Sequence, residues 1–174
     1  QRSVFHPHES MKALWLGGLG RPDEQRPIQN LATHLHMWSA NDDKRVKRVM
    51  DYLWTTRDYM LVGKIRDWPE DLELTLFVDA DFCGDKEDTR STSGAFLALT
   101  GPNGTFMPLA WMVKKQTATS RSTTEAEMVA LCMSLFSEAL PTLDLWELLL
   151  GRKVKLVVME DNQATIKIAK AGFS

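Results

Sequence analysis

The sequence predicts a mixed α/β fold in which a three-stranded antiparallel meander is followed by helices and one parallel strand. Residues 72–79 alternate between apolar and polar side chains, which is typical of a β-strand with one buried face. Residues 93–100 and 105–113 are apolar enough for two more strands, and the Gly-Pro-Asn-Gly run at 101–104 between them favours a tight turn. Because short connections join antiparallel neighbours, we expect the three strands to pair in chain order.

Two helices, a fourth strand and a last helix complete the predicted order β-β-β-α-α-β-α. Residues 122–138 form the clearest helix, with a hydroxyl cap and two glutamates in its first turns. A second helix is predicted over 141–150, with a first-turn proline and Gly151 as its stop. Residues 154–159 predict a strand and 162–171 a helix.

The N-terminal third predicts a separate helical region. Apolar residues at helical spacing favour a helix over about 27–38, and Asn41 or Asp42 is the expected cap of the next helix. Residues 59–65 suggest a short strand, and the first 25 residues show no clear periodicity. We therefore expect two domains, at residues 1–66 and 67–174.

Composition indicates a globular protein with an uneven charge distribution. The 174 residues are 44% hydrophobic and 25% charged, which excludes collagen-like, low-complexity and largely disordered chains. Cys83 and Cys132 are too few for a disulfide framework and are expected to be reduced thiols. No stretch approaches 18 apolar residues, so no membrane span is expected. The net charge is −2, but the segment from Asp67 to Arg90 alone carries −7, which leaves +5 on the rest of the chain. This distribution suits metal ions beside a phosphate backbone, although the charge alone favours a solvated acidic loop beside ordinary surface lysines.

Three acids occupy positions typical of a metal site. Asp79 ends the first strand, Glu127 lies in the first turns of the long helix, and Asp161 follows the fourth strand. If the first and fourth strands are neighbours, the two aspartates come together and the glutamate lies over them. Converging carboxylates repel unless cations intervene, and hard oxygen ligands favour Mg²⁺ or Mn²⁺. Each acid alone also fits a structural role, as a turn residue, a helix-dipole partner or an N-cap.

A competing chemistry starts from the same strand. An apolar strand that ends in Asp-x-Asp also opens the haloacid-dehalogenase-type phosphatases, in which the first Asp is a nucleophile. That motif requires Thr or Val two positions after the second Asp, where this chain has Cys83. Its sheet is also parallel, whereas the strands that follow Asp79 predict antiparallel pairing. The phosphatase interpretation is therefore the weaker one.

Three motifs in order resemble the ribonuclease H region of copia-type retrotransposon Pol polyproteins. They are FVDADFCGDKEDTRSTSGAFLAL, AWMVKKQTATSRSTTEAEMVAL and VVMEDNQATIKIAK. Upstream, GRPDEQRPIQNLATHL and KRVKRVMDYLWTTRDYMLV resemble the end of the reverse transcriptase and its connection to the ribonuclease H. The resemblance implies a ribonuclease H-like mixed sheet with flanking helices, preceded by a helical reverse-transcriptase tail.

The resemblance also implies residue roles and partners. Asp79, Glu127 and Asp161 would be the catalytic and metal-binding acids, holding two Mg²⁺ ions, with Mn²⁺ as a substitute. Glu125 is not a ligand in the family pattern, and Asp81 and Asp85 would have supporting roles. The substrate would be an RNA–DNA hybrid, and the upstream reverse transcriptase of the same polyprotein would be a partner, with no membrane involved. The residues implied to follow the hybrid backbone are Lys114, Lys115, Gln116, Ser120, Arg121 and Ser122.

The chain also departs from the family pattern. The family continues beyond residue 174 with a strand, a helix and a fourth Asp, so we expect a domain truncated at its C-terminus. Starting on Gln without Met suggests a fragment of a longer protein. The implied function is metal-dependent cleavage of the RNA strand of hybrids, in the cytoplasm within a virus-like particle or in the nucleus. The alternative is an inactive retroelement remnant that binds nucleic acid or packs on the polymerase, and a fourth Asp downstream would favour the enzyme.

Overall fold

The computed structural model describes residues 7–84 and 89–172, and the chain forms two compact units. The first unit is Gln1–Leu61 and the second is Val62–Ser174. Asp85, one of the supporting residues implied by the resemblance, lies outside the described residues.

The described part of the first unit contains three α-helices around a small apolar core. They are α1 (Pro7–Leu19), α2 (Gln25–Thr33) and α3 (Ala40–Thr55). The core consists of Ala13, Ile28, Leu31, Val46 and Val49. Helix α1 lies in the segment where no periodicity predicted an element, and it contains two successive glycines, which have low helix propensity.

Helix α3 begins earlier than the predicted cap. Ser39 is the N-cap. Its backbone N–H and its hydroxyl both donate hydrogen bonds to the carboxylate of Asp42, at 2.9 Å and 2.6 Å. Asp42 therefore lies inside the first turn, and the expected cap at Asn41 or Asp42 is corrected by two or three residues. The helix predicted over 27–38 is also shorter, because α2 ends at Thr33.

The second unit is built on a four-stranded mixed sheet. Its strands are β1 (Glu73–Asp81), β2 (Thr92–Thr100), β3 (Phe106–Lys115) and β4 (Leu156–Met159), in the order β3-β2-β1-β4. Strand β1 pairs antiparallel with β2, β2 antiparallel with β3, and β4 parallel with β1. The predicted meander with an added parallel strand is therefore confirmed as a mixed α/β architecture.

A long helical stretch covers one face of this sheet. Helix α4 (Thr123–Ser134) continues through a π-helical segment, Leu135–Ala139, into α5 (Leu140–Leu150). The sequence predicted two separate helices. Pro141 lacks the N–H for an α-helical bond, and the wider π turn just before it accommodates this loss without a break. Helix α6 (Gln163–Ala171) follows β4.

The apolar side chains of α4 form the core of the unit together with β1 and β2. Ala126 and Ala130 are fully buried in the same cluster as Leu74, Leu76 and Leu97. By length and composition alone, the stretch 123–150 is long and apolar enough to cross a membrane. The expectation that no stretch is long and apolar enough for a span is therefore corrected: α4 packs on the sheet through Ala126 and Ala130, and 22% of the most apolar 18-residue window of the stretch is buried.

The predicted strand over 59–65 is wrong except for one bridge. Lys64 and Phe106 exchange two backbone hydrogen bonds of 2.9 Å, and the rest of the segment is irregular. The buried carboxylate of Asp67, just after this segment, accepts hydrogen bonds from the N–H groups of Asn103, at 2.8 Å, and Thr105, at 3.1 Å. This carboxylate fixes the turn between β2 and β3.

Candidate metal centre and nucleic-acid interface

The parallel pairing of β1 and β4 brings two of the predicted acids together. Phe77 is level with Met159 in the register of the two strands. Asp79 and Asp161 each follow two residues later, so both lie at the same end of the sheet, where the parallel strands end. Both side chains are exposed there.

Helix α4 supplies the third acid from above the sheet. Its N-cap is Ser122, whose hydroxyl accepts a hydrogen bond from the N–H of Glu125 at 3.1 Å. The carboxylate of Glu125 in turn accepts from the N–H of Arg121 at 2.6 Å. With Glu125 engaged in capping, Glu127 lies about half a turn further along and is buried, with 4% of its surface exposed.

Asp79, Glu127 and Asp161 form one carboxylate cluster. Each offers an oxygen, and these three oxygens lie within 4.8 Å of one another. Asp81 and Glu125 are not part of this group, although both belong to the same sequence motifs. Asp81 ends β1 and packs closely against Gly84, where a Cβ atom would overlap its carboxylate.

The electrostatics of the cluster are dominated by Glu127. Burial, followed by repulsion from Glu160, Asp79 and Asp161, raises the pKa of Glu127 to about 7, against a partly opposing hydrogen bond from the backbone of Ala80. One of its carboxylate oxygens, Oε2, is buried without a hydrogen-bond partner among the described residues. A buried carboxylate in this position is costly when ionised, unless a cation compensates it.

Glu160 is a fourth carboxylate near the cluster that the sequence reasoning missed. Its Oε1 accepts a hydrogen bond from the N–H of Asn162 at 3.0 Å, and its Oε2 is buried with no partner among the described residues. Burial is also the main cause that raises the pKa of Glu160. The available signal was its position directly before Asp161, at the end of an apolar strand.

The donor set fits a hard divalent cation. Three carboxylates converge from two strands and one helix, all through oxygen atoms, which is the ligand type of Mg²⁺ and Mn²⁺. The Oε2 of Glu127 is a buried acceptor without a donor in the part of the chain that the structure describes. A bound cation would supply the missing charge and would polarise a water or a phosphoryl oxygen.

The residues predicted to contact nucleic acid divide into exposed and buried groups. Lys114, at the end of β3, and Arg121 and Ser122, just before α4, are exposed. Lys115 is half-buried. The exposed members place two positive charges and a hydroxyl at the end of the sheet where the carboxylate cluster lies.

Gln116 and Ser120 instead hold the interior of this segment together. Gln116 is 2% exposed and donates to the hydroxyl of Ser93, at 3.0 Å, and to the carbonyl of Ala126, at 2.9 Å. Its own carbonyl accepts from the hydroxyl of Ser120 at 3.0 Å. These bonds use the amide fully, and they fix the loop between β3 and α4 that presents Arg121 and Ser122.

Comparisons with known proteins agree with the resemblance in the sequence. The chain is 35% identical over 107 residues to the "Retrovirus-related Pol polyprotein from transposon RE2" of Arabidopsis thaliana, and 34% identical over 107 residues to that from transposon RE1. Each match covers 62% of this chain and 7% of the relative. The "Secreted RxLR effector protein 161" of Plasmopara viticola is 37% identical over 118 residues, 68% of this chain and 78% of that protein.

No protein-family model matches the chain. The chain spans about 7% of the length of the two Pol polyproteins, so it corresponds to a small part of such a protein. Relatives at this level of identity share ancestry over the aligned region. The chain has homologues among the retrovirus-related Pol polyproteins of copia-type transposons.

Proposed function

We propose that the second unit is a ribonuclease H domain, which hydrolyses the RNA strand of RNA–DNA hybrids with the help of divalent metal ions. The observation that carries this proposal is the carboxylate cluster of Asp79, Glu127 and Asp161, with three oxygens within 4.8 Å. In the same proposal, residues 1–66 are the end of the reverse transcriptase.

The cluster has the chemistry that phosphodiester hydrolysis needs. When bound, Mg²⁺ would activate a water and stabilise the charge on the leaving oxygen. The two exposed aspartates, Asp79 and Asp161, offer oxygens to the solvent side, where a phosphate can approach. Glu127, on the helix above the sheet, is buried and accepts a hydrogen bond from the N–H of Ala80, so it would offer its oxygen from the protein side. All three side chains act as oxygen donors in this role.

The adjacent surface suits a nucleic-acid backbone. Lys114 and Arg121 are exposed cations near the cluster, and Ser122 adds a hydroxyl. Strands are about 4.8 Å apart, so Lys114 on β3 lies two strands, or about 10 Å, from β1 and Asp79. Cations and hydroxyls contact phosphates and sugars without reading bases, which fits a substrate recognised by its backbone.

The test is cleavage of an RNA–DNA hybrid labelled on its RNA strand. We expect RNA cleavage in Mg²⁺ or Mn²⁺, none in EDTA, and loss of cleavage in Asp161→Asn, because the amide removes one anionic ligand. The matched control is Glu125→Gln, which changes a carboxylate on the same helix that lies outside the cluster and keeps an acceptor oxygen for the Arg121 N–H.

Three results would contradict the proposal. Cleavage that survives in Asp161→Asn would show that the cluster is not the reactive site. Binding of the hybrid with no cleavage under any metal condition would favour the inactive remnant, and turnover of small phosphate esters without hybrid cleavage would favour the phosphatase interpretation.

A further inference from the structure

Three buried polar atoms without a hydrogen-bond partner belong to the carboxylate cluster and to the segment that follows β4. They are Oε2 of Glu127, Oε2 of Glu160 and Oγ1 of Thr165, and among the described residues only one other buried side-chain atom, in the first unit, lacks a partner. Glu127 is 4% exposed and Thr165 is fully buried. Because an unsatisfied buried polar atom is costly, their occurrence in one part of the second unit indicates a ligand that bonds to them.

Glu160 lies on the same side of the sheet as Glu127. Met159, the last residue of β4, is level with Phe77, so Glu160 comes level with Val78. Val78 is buried in the core cluster under α4, and side chains alternate along a strand, so the carboxylate of Glu160 points toward that helix. After burial, Glu160 is the largest cause of the raised pKa of Glu127, which agrees with this placement.

Thr165 faces α4 from helix α6, which packs against it. Asn162 is the N-cap of α6, and its side-chain oxygen accepts from the N–H groups of Ala164, at 3.0 Å, and Thr165, at 3.1 Å. The N–H of Asn162 in turn donates to Oε1 of Glu160 at 3.0 Å. These hydrogen bonds fix Glu160 and Thr165 relative to each other and leave Oε2 and Oγ1 unused.

We propose that Glu160 and Thr165 bind the hydration water of the divalent cation held by the carboxylate cluster; this role rests on the proposed function of the cluster. Glu160 is not among the acids whose oxygens lie within 4.8 Å of one another, so a coordinated water would bridge the gap. Mg²⁺ keeps several of its waters when carboxylates bind it. Such a water donates two hydrogen bonds, and Oε2 of Glu160 and Oγ1 of Thr165 are two acceptors without a donor among the described residues.

The test is the affinity of the full chain for Mn²⁺, measured from the electron paramagnetic resonance signal of free Mn²⁺, in Glu160→Gln and Thr165→Val. We expect Glu160→Gln to weaken binding about 10-fold or more, the usual size for a residue that orients the ligands of a metal. Thr165→Val should weaken it roughly 3- to 10-fold, the size of one neutral hydrogen bond. Valine has the shape of threonine without the hydroxyl, and thermal unfolding in EDTA checks that both variants fold.

Glu125→Gln is the matched control. It removes one negative charge from α4, but the carboxylate of Glu125 lies outside the cluster and accepts the N–H of Arg121. We expect less than about a twofold loss at physiological ionic strength, because exposed charges are screened by salt. An equal loss in Glu125→Gln and Glu160→Gln would overturn the proposal, since binding would then follow net charge alone.

Competition of Mg²⁺ and Ca²⁺ with Mn²⁺ separates a bond to hydration water from a purely structural role. Mg²⁺ gives up its waters reluctantly, whereas Ca²⁺ takes more protein oxygens in flexible geometry. Glu160→Gln should therefore weaken Mg²⁺ binding about 10-fold or more and Ca²⁺ binding less than about threefold. Equal losses for the two ions would overturn the proposal.

Two further outcomes separate this role from the proposed function. If Asp161→Asn loses Mn²⁺ binding and hybrid cleavage while Glu160→Gln and Thr165→Val bind Mn²⁺ as the unchanged chain does, the proposed function stands and the role of Glu160 and Thr165 is wrong. If the unchanged chain binds no Mn²⁺, both are wrong.

Discussion

Replacement of Glu127 by Gln should stabilise the metal-free protein at alkaline pH while it abolishes metal binding. Glu127 is 96% buried, and its Oε2 has no hydrogen-bond partner among the described residues. The amide is close in size to the carboxylate and carries no charge. Its NH₂ group can also donate to a neighbouring carboxylate, whereas the ionised glutamate is repelled by Glu160, Asp79 and Asp161.

The size of the effect follows from the pKa of Glu127, which is raised from 4.5 to about 7. A carboxyl group with a higher pKa in the folded state binds more protons when folded, so stability falls as pH rises between these two values. Each pKa unit corresponds to about 1.4 kcal/mol. Ionised Glu127 therefore lowers the free energy of unfolding of the metal-free chain by about 3 kcal/mol at pH 8 and hardly at all at pH 4.5. Glu127→Gln removes this penalty.

Thermal unfolding in EDTA at several pH values measures the difference. At pH 8 the melting temperature of Glu127→Gln should exceed that of the unchanged chain by roughly 6–12 °C, and the difference should vanish towards pH 4.5. Added Mg²⁺ should then raise the melting temperature of the unchanged chain only, because the variant has lost a ligand. Glu125→Gln, at an exposed position outside the cluster, is the control.

A Glu127→Gln variant that is equally or less stable than the unchanged chain at pH 8 in EDTA would contradict this prediction. A difference that is the same at every pH would also refute it, since the effect would then come from packing and not from the charge of Glu127.

Three further predictions concern Glu160, beside the cluster, and two buried polar side chains of the second unit, Gln116 and Asp67. Glu160→Gln should also raise the melting temperature at pH 8 in EDTA, by less than Glu127→Gln, since it removes one of several sources of repulsion; no change would show that Glu160 does not act on Glu127. Gln116→Leu should lower the free energy of unfolding in urea by about 2–3 kcal/mol, because the hydroxyl of Ser93 and the carbonyl of Ala126 lose their hydrogen bonds. An unchanged unfolding midpoint would contradict this. Asp67→Ala should lower the free energy of unfolding by about 2–3 kcal/mol, because the N–H groups of Asn103 and Thr105 lose their acceptor. Hydrogen exchange of the amides at 103–105 should become faster, and unchanged exchange there would contradict the prediction.

Local patterns were sufficient for the sheet but not for all helices. The alternation in β1 and the turn at 101–104 are local signals, and they predicted the meander because neighbouring strands pair through short connections. Helix α1 was missed because its two glycines weaken helical propensity, and its burial of Ala13 depends on α2 and α3, which no local pattern reports.

The strand order was enough to predict which acids lie together, but the sequence did not predict the burial of individual side chains near them. Asp79 and Asp161 end adjacent parallel strands, so the strand order alone brings them together. The resemblance implied that Gln116 follows the hybrid backbone. Its burial and its bonds within the protein depend on tertiary packing, which the sequence motif does not report. Glu160 was missed because its burial depends on tertiary packing around the end of β4, which no local pattern in the sequence reports.

The most direct test of the account is whether the carboxylate cluster binds the divalent cation. Titration of Mn²⁺ into the full chain, followed by the electron paramagnetic resonance signal of free Mn²⁺, compares the unchanged protein with Asp79→Asn and with Glu125→Gln. The account predicts that Mn²⁺ binds the unchanged chain and Glu125→Gln alike, and that Asp79→Asn binds at least about tenfold more weakly. Equal binding by all three proteins would contradict it.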